Sequence, residues 1–154
     1  MSFEKAKKYL QEKGYEDHII ELEDSSATVQ LAAEALGVEP GMIAKTLSFL
    51  VSDTPILILA EGTARVDNHK YKDTFHVKAK MIPFDDVEDF IGHAPGGVCP
   101  FGIKEGIPVY LDESLKKFDT VYPAAGNDHS AVRLTIAELE AVAGAEKWVD
   151  VCKE

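Results

Sequence analysis

Two apolar runs split by a turn-forming tetrapeptide constrain this chain more than any other feature. Lys45-Thr-Leu-Ser-Phe-Leu-Val51 is followed by Ser52-Asp53-Thr54-Pro55 and then by Ile56-Leu-Ile-Leu-Ala60. β-Branched and aromatic residues on both sides of turn formers predict a central β-hairpin. The flanking segments are read by the same logic. Phe3, Ala6, Tyr9 and Leu10 share one face of a helix over 3–13, which Gly14 stops. A short strand is expected at His18–Glu23, and a helix carrying Val29, Ala32, Ala33 and Leu36 ends at Gly37. Asp67 caps a short helix that gives way to a strand at His76–Ile82. Pro83 and two aspartates open another helix with Val87, Phe90 and Ile91 inward and Gly92 as its stop. A strand at Ile107–Leu111 leads to Asp112, which caps one helical turn ending near Phe118. A second hairpin joins Thr120–Gly126 to Ser130–Leu134 around Asn127-Asp128-His129. The pair Thr135 and Glu138 forms a capping box for a helix closed by Gly144, ahead of a last strand at Lys147–Cys152. Hairpins are frequent and regular βαβ alternation is missing. The expected class is α+β, a single domain over 1–154 with a mixed, mostly antiparallel sheet of about seven strands.

Charge narrows the partners. Lys and Arg number 16 against 27 Asp and Glu, for a net charge of −11. A chain this acidic repels polyanions, so no extended DNA groove is expected and any nucleic-acid contact needs a local basic face. The one such stretch is 65–80, with Arg65, Lys70, Lys72, Lys78 and Lys80 against only Asp67 and Asp73. The charged N-terminus does not read as a signal peptide. The longest apolar run, Ile56–Ala60, is far short of the roughly 18 residues of a membrane span. Two cysteines outside any C-x-x-C pattern fit a reducing compartment, and a cytoplasmic location is expected. The histidines show neither H-x-H nor H-E-x-x-H spacing, so neither metal nor cofactor is expected.

Three places invite chemistry. His93-Ala-Pro-Gly-Gly-Val-Cys-Pro-Phe-Gly102 crowds glycine and proline into ten positions. It is either a tight surface loop or a backbone cradle in which Gly96 and Gly97 admit a ligand and consecutive N–H groups hold an oxyanion. Lys45, at the head of an apolar strand, is either a lysine whose stem snorkels out or a partly desolvated ammonium that meets a carbonyl, carboxylate or phosphate. Cys99 either packs as a small buried residue or acts as a nucleophile activated by His93 or His129.

Taken in order, Lys45-Thr46-Leu47, the loop Gly96-Gly97-Val98-Cys99-Pro100-Phe101-Gly102, Pro108–Asp112, and Thr120-Val-Tyr122 with Gly126 resemble the YbaK/EbsC family, the prolyl-tRNA synthetase-associated domain. The resemblance covers residues from about 18 to 152. It implies an aminoacyl-tRNA deacylase that hydrolyses the ester of tRNA mischarged with a small amino acid. Lys45 matches the family's essential lysine, and Gly96 and Pro100 match the ends of its G-x-x-x-P loop, whose backbone at Gly96, Gly97 and Val98 binds the aminoacyl group. Thr46, Cys99, Pro100, Asp112 and Gly126 look like pocket walls. In this picture water, or in cysteine-specific members the substrate's own thiol, attacks the ester carbonyl, and no protein nucleophile is required.

Two departures bear on the substrate. Ala44 stands where a phenylalanine is common, and the loop reads C-P-F-G where many cysteine-specific members have S-P-L-G. The acidic composition restricts contact to the acceptor end of the tRNA, with Lys70, Lys72, Lys78 and Lys80, and also Lys104, Lys116 and Lys117, facing phosphates. An aminoacyl-tRNA synthetase is the expected partner that supplies effective concentration. The rival readings are a non-catalytic module that binds tRNA or a synthetase, and a Cys99-dependent hydrolase of small esters.

Overall fold

The computed structural model describes residues 2–153 of the chain. Helix α1 (Ser2–Glu12) buries Ala6 and Leu10, as their spacing predicts. Strand β1 (Ile19–Glu21) follows, then α2 (Val29–Leu36). The α2 cap is Thr28, whose hydroxyl accepts from the Leu31 N–H, and Gly37 closes the helix at φ 72°. The central hairpin forms as expected from β2 (Ala44–Val51) and β3 (Thr54–Glu61), antiparallel in register from Ala44 opposite Glu61 to Val51 opposite Thr54.

After the short β4 (Arg65–Val66) comes α3 (Asn68–Phe75), whose cap Asp67 accepts from the His69 and Lys70 N–H groups. His76 ends that helix in the left-handed region, at φ 65°. The strand expected at His76–Ile82 does not form. Instead the segment runs along the outer edge of β2 and touches it only near its end, where Leu50 N–H donates to the Lys80 carbonyl (2.8 Å) and Ile82 N–H to the Ser48 carbonyl (3.1 Å). A 3₁₀ turn at Phe84–Asp86 precedes α4 (Val87–Ile91), which stops at Gly92 as predicted.

Beyond the glycine-rich segment, β5 (Val109–Asp112) leads to a 3₁₀ turn at Glu113–Lys117, then β6 (Thr120–Val121), β7 (Ser130–Val132) and β8 (Leu134–Thr135). Helix α5 (Ile136–Val142) opens on the Thr135–Glu138 capping box, and β9 (Lys147–Val149) and β10 (Cys152–Lys153) end the chain. The second hairpin is only partly regular. β6 pairs antiparallel with β8, and Val132 N–H reaches the Pro123 carbonyl (2.8 Å), but β7 gives its ladder to β1.

The class is α+β, as expected, although the strands do not merge into one sheet of about seven. Four form a mixed sheet in the order β2-β3-β5-β9, and β1-β7, β4-β10 and β6-β8 stand as antiparallel pairs. Inside the four-stranded sheet β3-β5 and β5-β9 are parallel. Alternation along the hairpin splits the core. Ala44, Leu57 and Leu59 face one cluster with Leu10, Val87, Ile91 and Leu139, while Phe49, Ile56 and Ile58 face another with Tyr71 of α3. No helix among the described residues is long and apolar enough to cross a membrane.

Candidate functional site

A cavity of about 440 Å³ opens on the first of these two faces. It is walled by segments remote in sequence: Ser26–Val29 before and at the start of α2, the first half of β2, the turn around Phe84, the glycine loop, and residues between Tyr122 and Ala131. Its volume lies within the range of roughly 300–1,000 Å³ typical of small-molecule sites. The walls are mostly apolar, with Ile43, Ala44, Ile82, Val98, Ala124 and Ala131 contributing, and no carboxylate lines them.

Hydroxyls supply the polar contacts. Thr46 and Ser48 project from the same face of β2 as Ala44, because the side-chain period of a strand is two. Thr46 Oγ1 is buried and has no hydrogen-bond partner among the described residues. A buried hydroxyl left unpaired costs about 1–3 kcal/mol, so this atom is poised to take a hydrogen bond from a guest.

The glycine-rich loop is irregular, as expected, and three of its residues, Pro95, Gly96 and Val98, reach the cavity. Gly97 does not. Its N–H donates to the Ala94 carbonyl (3.1 Å), and a Cβ there would stand 2.6 Å from backbone atoms of Gly126 and Asn127. Gly96 holds φ 92°, which favours glycine. The N–H groups of Gly96 and Val98, the two cavity-lining residues on either side of Gly97, make no hydrogen bond within the described residues. Gly126 lies behind the loop, against Gly97, and lines a neighbouring groove instead of the cavity.

Lys45 lines the cavity between Ala44 and Thr46, and its ammonium donates to the carbonyl oxygens of Gly62 (3.3 Å) and Ala64 just beyond β3. Burial holds its pKa below the ordinary lysine value of 10.5, opposed by the charges of Cys152 and Glu61. The amine is thus anchored under the wall, on the side toward which Leu47 and Phe49 point.

Cys99, Pro100 and Asp112, expected as pocket walls, are elsewhere. Cys99 is fully buried in the core next to Phe101, and Pro100 is buried with it. Asp112 ends β5, where Oδ2 accepts from the Ser114 N–H (2.9 Å) and Oδ1 from the Val151 N–H (2.8 Å). The carboxylate thus caps one turn and ties down the C-terminal segment, the role a helix cap alone would explain. The basic stretch also divides. Lys70 pairs with Asp150 (3.1 Å) and with the Cys152 carbonyl, and it shares α3 with Lys72 on the sheet face opposite the cavity. Lys78 and Lys80 are exposed just before Met81, at the cavity mouth.

A Cys–His pair does exist. Cys99 Sγ lies 3.5 Å from His93 Nε2, yet that nitrogen is also 2.6 Å from the Phe101 carbonyl, an acceptor only. Nε2 therefore carries the hydrogen and cannot take a proton from the thiol. Burial lowers the His93 pKa and pushes the Cys99 thiol up to about 12. Cys152 is likewise pushed to about 12, by burial and then by the Asp112 carboxylate. At pH 8 each thiolate amounts to about one part in ten thousand. The native protein is therefore expected to leave an aromatic disulfide reagent unreduced at pH 8, with both thiols reacting once guanidinium unfolds it. Rapid native reaction of one thiol would overturn this account of Cys99.

The wall residues that sequence reasoning missed include Ser48, Ile82, Phe84 and Tyr122. Ser48 was within reach, since period two along β2 places it with Thr46. The others come together only through tertiary packing.

The aminoacyl-tRNA editing domain family matches residues 23–142. The uncharacterized protein YwhH of Bacillus subtilis is 45% identical over 100% of this chain and 99% of its own length. EbsC of Enterococcus faecalis, a candidate Cys-tRNA(Pro)/Cys-tRNA(Cys) deacylase, is 28% identical over 78% of this chain and 74% of its own. A crystal structure described as that of a candidate trans-editing enzyme for prolyl-tRNA synthetase superposes with a TM-score of 0.89 at 31% identity, covering 99% of this chain and 98% of the other. The chain belongs to the aminoacyl-tRNA editing domain family.

Proposed function

We propose that this protein is a hydrolase that cleaves the ester between a small, uncharged amino acid and the 3′ end of a mischarged tRNA. The observation that carries the reading is the cavity. It is apolar, free of carboxylates, and equipped with one unpaired buried hydroxyl at Thr46 and two unengaged N–H groups at Gly96 and Val98.

A small amino-acid side chain fits against Ala27, Ala32, Ala44 and Ala131, where a charged one would be stripped of water without a partner. Ala44 lies on the wall itself, so the small residue at that position widens the space for the guest. The departures in the loop at Cys99 and Phe101 act through the core, since both are fully buried. Thr46 Oγ1 hydrogen-bonds the aminoacyl group. As water adds to the ester carbon, negative charge gathers on the carbonyl oxygen, and the N–H groups of Gly96 and Val98 stabilise it without reorganising. The C–O bond to the ribose then breaks, the ribose oxygen takes up a proton and the free amino acid leaves. No side-chain nucleophile enters this sequence, in keeping with the inert Cys99 thiol.

The tRNA acceptor end approaches past Lys78 and Lys80. A synthetase that holds the same tRNA offsets the weak attraction of so acidic a protein by raising the local concentration. The family, the name of EbsC and the solved trans-editing relative support the assignment of both partners.

The test is a panel of tRNAs charged with alanine, serine, cysteine or proline, including mismatched pairs, with ester loss followed for wild type and Thr46→Val. Selective loss with wild type is expected, and a ten- to hundred-fold slower rate with Thr46→Val, roughly the effect of one buried hydrogen bond. Stable tRNA binding without ester loss across the panel would replace the enzyme with a binding module.

A further inference from the structure

Among the described residues, Phe84 packs into none of the core clusters. It is 75% exposed although it lines the cavity, and Met81, also at the mouth, is 56% exposed. Both sit on a segment that is held in place. Ile82 N–H donates to the Ser48 carbonyl (3.1 Å), Asp86 N–H closes a turn on the Pro83 carbonyl (2.8 Å), and Ile82 and Val87 are buried on either side. An aromatic ring on a rigid turn, open to water beside a cavity, is a preformed stacking surface.

We propose that Phe84, flanked by Met81, is the platform on which the terminal base of the tRNA stacks while the aminoacyl group enters the cavity. The inference rests on the deacylase reading and deepens it, making the site bipartite: ester and amino acid inside, nucleobase on the rim. The occupant follows from two features. The platform is continuous with the cavity wall, so a group covalently joined to the guest falls on it. The charges beside it also sort the substrate. Asp85 and Asp86 follow Phe84 and repel phosphate, whereas Lys78 and Lys80 precede Met81 and attract it. A neutral base therefore rests on the ring, and the phosphodiester chain leaves toward the lysines. Stacking gives affinity with little base selectivity, because every base has a π-face. That suits a 3′ end shared by all tRNAs.

The probe is a 3′-aminoacylamido-3′-deoxyadenosine, which carries amino acid, ribose and base but has no ester to cleave. Calorimetry compares it with the amide of the same amino acid, which lacks the nucleoside. Phe84→Ala is expected to weaken nucleoside binding by about ten- to a hundred-fold. Phe84→Trp retains it, neither variant alters the melting temperature, and the loss with Phe84→Ala is much larger for the nucleoside than for the simple amide, since only the nucleoside carries a base to stack. Equal nucleoside affinity for wild type and Phe84→Ala, or no nucleoside binding by wild type, would overturn the platform. Turnover of mischarged tRNA separates the two readings. Hydrolysis indifferent to Phe84 removes the platform and leaves the deacylase standing. Phe84-dependent binding without hydrolysis of any charged tRNA keeps the platform and removes the deacylase.

Discussion

Replacing Lys45 with methionine is expected to lower kcat/KM on a mischarged tRNA by about a hundred-fold while the protein still folds. The ammonium that ties β2 to the Gly62 and Ala64 carbonyls holds its neighbour Thr46 in the cavity wall, and a misplacement of about 1 Å there costs that much. Methionine keeps most of the apolar stem and removes the charge that the carbonyls of Gly62 and Ala64 hold. Two carbonyls, one of them only partly buried, then lose a charged donor, but the ammonium's desolvation cost is relieved too, so stability falls by less than the roughly 1.5–3 kcal/mol of such a bond. Activity and stability separate through pH. Burial sets the folded-state pKa of Lys45 below the 10.5 of an ordinary lysine. Between those two values the unfolded chain holds the proton and the folded chain does not, so this residue's contribution to stability rises with pH. Because the ammonium makes the tie to the Gly62 and Ala64 carbonyls, activity falls over the same window. Denaturant melts and rates for wild type and Lys45→Met across alkaline pH read both slopes. A well-folded Lys45→Met protein with undiminished turnover would remove Lys45 from the mechanism.

Gly97→Val carries the second large effect. Even the first added carbon stands 2.6 Å from the Gly126 and Asn127 backbone, which cannot rotate away as a side chain would. Overpacking of this kind costs about 1–3 kcal/mol and displaces the loop. Gly96 and Val98, the neighbours with free N–H groups, move with it. A misplacement of about 1 Å is enough for a hundred-fold loss of rate, so activity should fall further than stability. Cys99→Ala trims one buried sulfur and leaves the loop backbone where it was. Its rate should stay within about three-fold of wild type, well inside the penalty for losing an oxyanion donor. Thermal melts run beside the kinetics separate the two causes. Should Cys99→Ala prove the more damaging change, the thiol would return as the reactive group.

What could be read in the sequence was local. The Thr135–Glu138 box, the Asp67 and Asp112 caps and the Gly37 and Gly92 stops each depend on a few consecutive residues, and each forms. The hairpin was legible because its two strands meet through one short turn. The parallel pairing of β5 with β3 and β9 was not, since nothing in Val109–Asp112 distinguishes a parallel from an antiparallel neighbour. The strand expected at His76–Ile82 failed because His76 turns left-handed and the chain then meets only the last part of the β2 edge. In the site, a short motif marked the loop but could not orient it. Thr46 and Gly96 reached the cavity, whereas Cys99, between wall residue Val98 and core residue Phe101, turned inward. Phe84 had no sequence signal beyond an aromatic residue at a helix start.

The five stretches that wall the cavity run from Ser26 to Ala131, and no two adjacent in sequence enclose it. Four of them are pinned by long-range hydrogen bonds: Ser26 N–H to the Asp128 carbonyl, Ala44 N–H to the Tyr122 carbonyl, Ile82 N–H to the Ser48 carbonyl. Such a pocket has no half-built form, because closing it requires loops across most of the chain to be complete. A nascent or truncated chain ending before Ser130 therefore lacks the Ser130 and Ala131 part of the cavity wall. The cavity of this architecture exists only once synthesis has passed Ala131 and the distant segments have met, so an incomplete copy carries no pocket.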